Sequence, residues 1–374
     1  MSSPRETAGA AASGPIPSLD GIRALAVGLV FFAHSGLEKI LPGGLGVTVF
    51  FVLSGYLITT LLRQEHARGG SVSLRNFYLR RCLRLMPPLL VTVVAGALLA
   101  ATGLIAGGFS RHGLLAVLFY FGNYFVIAHD FQGLPDGAGV IWSLAVEEHY
   151  YLVYPPLALL LLRLNRPRRS ALLLGGACAA VLARRLWLAG HGGGEAYIGM
   201  ATDTRIDAIL VGCLLGWLQN PWLERGAPQP SHPALLALLC GGLLATSLLY
   251  RDEQFRLTLR YTVQSLAVAP LLYLAVSYAR TRACRWLQAP VLVYLGQVSY
   301  SVYLSHHLLL QLVFRQWPQL GWIADMLLAA ALTLLYAEAL RRWVERPCAA
   351  LRGSLRRATT AQPPVPASTL GTPA

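Results

Sequence analysis

Arg23 and His34 stand eleven positions apart in one apolar run, GIRALAVGLVFFAH. At 100° per residue that spacing returns to within about 20° of the same helical face. An imidazole at such depth is suited to take a proton from a hydroxyl or to attack a carbonyl. A second apolar helix begins WSLAVEEHYYL, with Glu147 and Glu148 about 100° apart, so at most one of them faces a given partner. Residue counting brings Glu147 to a depth similar to His34, where a carboxylate on the other ring nitrogen would set the tautomer of a general base. Arg205 and Asp207 (TDTRIDAILVG) and Tyr303 and His306 (GQVSYSVYLSHH) reach the same depth, the last two being neighbours on one face. On the other side, NFYLRRCLRLMPP holds Arg80, Arg81 and Arg84. Arginines one turn apart can grip phosphate in several places, although the same run could serve only to orient the chain or bind lipid phosphate.

The groups need a frame that excludes water. The chain of 374 residues is 55% hydrophobic and 13% charged, with mean hydropathy +0.52. A soluble domain carries about a quarter charged residues, so the expected fold class is all-α, a polytopic membrane protein. Ten spans are expected at 21–37, 45–62, 86–107, 145–162, 170–189, 206–219, 234–250, 262–279, 290–313 and 321–343. The short run 113–128 is expected to be re-entrant or interfacial, because counting it as a span would invert the loops that follow. The glycines 43, 44, 46 and 55, with Ser54, are read as small residues that let helices approach closely.

Thirty-one Lys and Arg stand against 17 Asp and Glu, for a net charge of +14, and every basic residue except Lys39 is Arg. They cluster between apolar runs, as in cytoplasmic loops, which puts both termini in the cytoplasm. The loop RDEQFRLTLR is a modest exception. No basic stripe interleaved with aromatics occurs, so nucleic acid is not an expected partner. Cys82, Cys178, Cys213, Cys240, Cys284 and Cys348 form no CxxC pair and are expected to be free thiols. No HExxH or GxSxG pattern occurs, and no metal site or permanently bound cofactor is expected. Residues 1–17 are expected to be a disordered lead, 18–347 the membrane domain, and 348–374 a basic, then Pro/Ser/Thr-rich disordered tail.

Seven segments together resemble acyltransferase family 3 of integral membrane proteins, whose members act on O-antigens, exopolysaccharides and macrolides. They are SLDGIRALAVGLVFFAH, FFVLSGYLIT, NFYLRRCLRLMPP, WSLAVEEHYYL, TRIDAILVG, LGQVSYSVYLSHH and the closing VERP, in family order over residues 18–347. The family's Arg–His pair falls on Arg23 and His34, its RxxR on Arg81 and Arg84, and its acidic pair on Glu147 and Glu148. Two positions depart: His149 stands where the family usually has Gln, and His307 follows His306. The SGNH hydrolase-like domain of some members is not found here, so the membrane unit is expected to act alone.

The resemblance implies acyl transfer from acyl-CoA, acetyl by default, to a hydroxyl of a glycan or glycoside, in the cytoplasmic membrane of a bacterium. In that reading Arg80, Arg81 and Arg84 hold the CoA phosphates. His34 is the catalytic group, oriented by Glu147, with Arg23 and Glu148 beside them. Arg205, Asp207, Tyr303 and His306 line the acceptor pocket. The competing reading is a transporter for a small polar or anionic substrate. It would call for broken helices echoed between two halves, and no such echo is visible.

Overall fold

The computed structural model describes residues 16–224, 229–351 and 353; all of the N-terminal lead but its last two residues, and the Pro/Ser/Thr-rich tail, lie outside them. The chain is an all-α polytopic membrane protein, with no strand among the described residues. Its helices are α1 (Pro17–Phe32), α2 (Gly43–Gly69), α3 (Leu74–Ala101), α4 (Arg111–Leu118), α5 (Gly122–His129), α6 (Trp142–Leu164), α7 (Pro167–Gly190), α8 (Glu195–Met200), α9 (Thr202–Arg205) and α10 (Asp207–Leu218). They continue as α11 (Pro233–Leu249), α12 (Glu253–Leu257), α13 (Leu259–Ser277), α14 (Arg282–Arg285), α15 (Pro290–Gln297), α16 (Ser299–Gln316) and α17 (Trp322–Leu340). Among the described residues six stretches, 17–37, 43–69, 74–101, 167–190, 259–277 and 322–351, are long and apolar enough to cross a membrane, and α10 and α11 are shorter apolar helices. α6 and the pair α15–α16, which carry the acidic pair and His306, complete the set expected from hydropathy.

Three local features bear on the site, two of them at boundaries that differ from expectation. α3 begins at Leu74, not near residue 86, so the Arg-rich run forms its first turns, and Ser73 caps it by accepting from the Asn76 amide at 3.3 Å. The run 113–128 divides into α4 and α5, eight residues each, across Tyr120 at φ 60°, and neither is long enough to cross. The expected span 290–313 is interrupted at Val298 between α15 and α16. Just before the break, a Cβ on Gly296 would lie 1.9 Å from the Asp20 carbonyl oxygen, so glycine lets α15 lie directly on α1.

α2 is the central helix, with thirteen buried residues, whereas α7 has only Ser170, Leu174 and Arg185 buried. α2 crosses α10 through two glycines. A Cβ on Gly55 would sit 1.9 Å from the Ile209 oxygen, and one on Gly212 2.0 Å from the Val52 oxygen. Gly46 and Gly43 likewise meet α1 closely, but Gly44 faces open space and Ser54 serves the site instead. Gly212→Ala is therefore expected to destabilise the protein by about 1–3 kcal/mol through overpacking. The check is a lower unfolding midpoint in detergent than for wild type or Gly44→Ala.

Prolines inside α6 free backbone acceptors that must find partners at membrane depth. Pro156 has no N–H to offer the Leu152 carbonyl, and Tyr78 of α3 donates its hydroxyl there at 2.8 Å. Tyr300 of α16 donates to the Leu85 carbonyl at 2.7 Å, so both neighbours grip the segment of α3 that bears Arg81 and Arg84.

Candidate active site

His34 does not sit in regular α-helix. After Phe32 the chain widens into a π-turn, Ala33–Leu37, closed by Gly36 at φ 99°. Such turns shift the facing of side chains and expose carbonyls. Ser35 donates its hydroxyl to the Phe32 carbonyl at 2.8 Å, and its own carbonyl accepts from the Trp322 indole of α17. The half-buried His34 ring is thus aimed at α16. Its Nδ1 lies 3.0 Å from Nε2 of the fully buried His306, whose Nδ1 lies 2.7 Å from the Tyr303 carbonyl oxygen. His307 stacks on the His34 ring with centroids 4.5 Å apart. Sequence counting gave the place beside His34 to Glu147 and put His306 in an acceptor pocket; helix packing puts His306 in contact with His34 instead.

Glu147 has other partners. Ser54 donates to its Oε1 at 3.0 Å and Tyr151 to its Oε2 at 2.9 Å. It borders a cavity of about 190 Å³ that is also lined by Arg23, Arg81, Arg84, Ser143 and Tyr303. Arg81 lies over the Tyr151 ring, 4.3 Å from its centroid, and Arg23 pairs with Asp20 at 2.8 Å. Three arginines and one carboxylate line this wall, a balance that suits an anionic ligand. Tyr303 links cavity and histidines. Its hydroxyl bonds Ser143 at 2.6 Å within the cavity wall, and its carbonyl holds His306.

The remaining predicted residues separate. Arg80 turns away from the cavity to an ion pair with Glu65 at 2.8 Å, leaving Arg81 and Arg84 on the wall with Arg23. Of the acidic pair, Glu147 faces the cavity, whereas Glu148 has a buried Oε1 without a partner. Arg205 is enclosed by aromatics, 3.7 Å from the Tyr261 centroid and 5.5 Å from that of Trp142, and donates to the Gly199 carbonyl at 2.9 Å. Asp207 is held by Arg185, Nη2 to Oδ2 at 2.6 Å and Nη1 to Oδ1 at 3.0 Å, with Thr262 donating at 3.1 Å. Arg185 and Asp207 are both buried, and neither Arg205 nor Asp207 lines the cavity. Asp207 engages both carboxylate oxygens with protein partners, whereas Nε and Nη2 of Arg205 are buried without a hydrogen-bond partner.

Sequence reasoning passed over Arg185, although an arginine within an apolar run was the signal to look for. It also passed over Tyr151, one helical turn after Glu147 and therefore on the same face. Ser143 and Tyr300 carry no such signal, being ordinary residue types made specific only by the packing of α6 and α16.

A sequence profile described as an acyltransferase domain matches residues 16–340. The peptidoglycan O-acetyltransferase OatA of Listeria monocytogenes serovar 1/2a is 32% identical over 356 residues, covering 89% of this chain and 55% of that protein. The O-acetyltransferase OatA of Staphylococcus aureus strain NCTC 8325 is 29% identical over 349 residues, covering 89% of this chain and 57% of that protein. The chain thus spans a little over half the length of these relatives. No solved structure matches it.

Proposed function

The chain belongs to acyltransferase family 3, and on that premise we propose that it moves an acyl group, acetyl by default, from acyl-CoA to a hydroxyl of a glycan or glycoside. The observation that carries the reading is the electropositive cavity joined through Tyr303 to the His306–His34 pair. CoA is rich in phosphate, and Arg81, Arg84 and Arg23 offer planar donors on a wall that also holds the uncharged Ser143 and Tyr303. The donor enters from the Arg-rich, cytoplasmic side, and its thioester reaches toward His34. The relatives' names point to O-acetylation, and one of them to peptidoglycan, which makes a bacterial surface glycan in reach of the cytoplasmic membrane the leading acceptor class.

In the reaction proposed, His34 takes the proton of the acceptor hydroxyl as the oxygen bonds to the thioester carbonyl carbon. The carbon–sulfur bond then breaks, and the proton passes from His34 to the departing thiolate, so CoA leaves as the thiol and the ester remains. The same imidazole could instead carry the acyl group between the two substrates. An acyl-enzyme trapped at His34 in the absence of acceptor would select that route.

The test is release of free CoA by the purified protein in detergent, with acetyl-, propionyl- and succinyl-CoA and with glycan and glycoside acceptors. Saturable, acceptor-dependent release is the expected result. Arg84→Ala, which removes a charged wall donor, is expected to raise the donor KM about tenfold with little change in kcat. Absence of acyl-CoA binding would overturn the proposal and favour a transporter.

A further inference from the structure

We infer that His306 is the positioning residue that selects the reactive nitrogen of His34, holding the proton on Nδ1 and leaving Nε2 bare toward the substrates. The inference rests on the reading of His34 as the catalytic group, but its first step is independent of any activity. A backbone carbonyl can only accept, so the 2.7 Å contact between the Tyr303 oxygen and His306 Nδ1 requires the proton on that Nδ1. A neutral imidazole with Nδ1 protonated has a bare Nε2. That Nε2 lies 3.0 Å from His34 Nδ1, and two bare nitrogens cannot bond at that distance, so His34 Nδ1 carries a proton. The neutral His34 ring then has its lone pair on Nε2.

The chain is one-directional, from His34 to His306 to the Tyr303 carbonyl, and ends on an acceptor that cannot be reversed. Burial of His306 keeps water from substituting for either bond. The stacked His307 ring, 4.5 Å away, holds the His34 plane. A free imidazole prefers the opposite tautomer, with the proton on Nε2, which would cover the lone pair the reaction needs. In catalytic triads a carboxylate performs this selection, and loss of the correct tautomer there lowers kcat by about 10⁴. Here a neutral histidine takes that place at His34 Nδ1. Glu147, the acid that sequence counting put nearest, is engaged by Ser54 and Tyr151. The Val30 carbonyl, one turn back on α1, also lies within reach of the His34 ring and is the competing acceptor to be tested.

The experiment is nitrogen-15 NMR of the full-length protein labelled at histidine, with the His34 signals identified by their loss in His34→Asn, together with kcat and donor KM for each variant. Wild type is expected to show His34 protonated at Nδ1. In His306→Leu the proton is expected to move to Nε2, with kcat lowered about 10²-fold or more and donor KM unchanged. His306→Gln, whose side-chain oxygen accepts near the place of Nε2, is expected to retain the Nδ1 tautomer and to lose less than about tenfold in kcat. If His306→Leu does not fold, His306→Met, also without a strong acceptor, makes the same comparison. A His34 that stays protonated at Nδ1 in the Leu or Met variant would assign the selection to Val30 and overturn the inference. Equal loss of kcat in the Gln and Leu variants would overturn it too, since a packing role gives no such rescue. Wild-type kcat in His34→Asn would instead remove the reading of His34 as catalyst, while the NMR result would still decide the tautomer.

Discussion

His34→Asn is expected to lower kcat for acyl transfer by about two to four orders of magnitude, the usual yield of a positioned acid–base group. The choice of Asn separates chemistry from stability. His306 Nε2 is buried beside His34 Nδ1, so His34→Ala leaves an acceptor without a donor and is expected to lose about 1–3 kcal/mol of stability as well. An Asn amide nitrogen can donate from nearly the same place, yet it offers no lone pair to take a proton. The two variants are therefore expected to share the loss of CoA release and to differ in melting temperature, with Asn near wild type and Ala below it. His34 lies at the start of a π-turn, outside the tightly packed core of α2 and α10, so insertion into the membrane is expected to survive both changes. Transfer at the wild-type rate by either variant would remove His34 from the mechanism.

The second large effect is expected far from the chemistry. Removing one member of the Arg185–Asp207 pair, by Asp207→Ala or Arg185→Ala, is expected to destabilise the protein by about 3–5 kcal/mol, because it strands a buried charge. Arg185 is 0% exposed, and besides Asp207 it donates to the Thr204 carbonyl at 2.7 Å and to the Thr262 hydroxyl. The pair ties α7 to α10 and α13 on the face where α7 has few other buried residues. The double variant Arg185→Met with Asp207→Leu fills the same space without charge and is expected to be more stable than either single variant. Unfolding midpoints of the four proteins in one detergent decide the matter. A substrate-binding role for Asp207 would instead leave the midpoint unchanged in Asp207→Ala and raise the acceptor KM.

Arg81 and Arg84 could be singled out in the sequence by their one-turn spacing beside a span, and Arg23 and Glu147 because an ionisable group in an apolar run is costly wherever the run ends up. Asp207 met the same criterion, and the structure gives it a different set of neighbours. The criterion detects expense, and a buried ion pair is as expensive as a binding site. Arg185 is the missing half of that argument. Once it is seen opposite Asp207, both charges have partners, and neither is left to face the cavity. Arg80 separates from Arg81 for a simpler reason: adjacent positions on a helix point about 100° apart, and Glu65 waits on the side away from the cavity.

The sequence by itself determined the properties that depend on neighbours along the chain. These are the apolar lengths of the spans, the arginine-rich segments between them, the one-turn spacing of Arg81 and Arg84, and the too-short run that became α4 and α5. Each follows from hydropathy, charge or a fixed 100° step. Tertiary structure alone decided which of the groups at one depth would meet. His34 and His306 are 272 positions apart, and no local rule reaches that far. Their contact requires the π-turn that rotates His34, the break at Val298 that starts α16, and the glycine, Gly296, that brings α15 onto α1 within the width of a missing Cβ. A rotation of either helix by one residue's step would carry an imidazole away from its partner, and only the packing of whole helices fixes that angle.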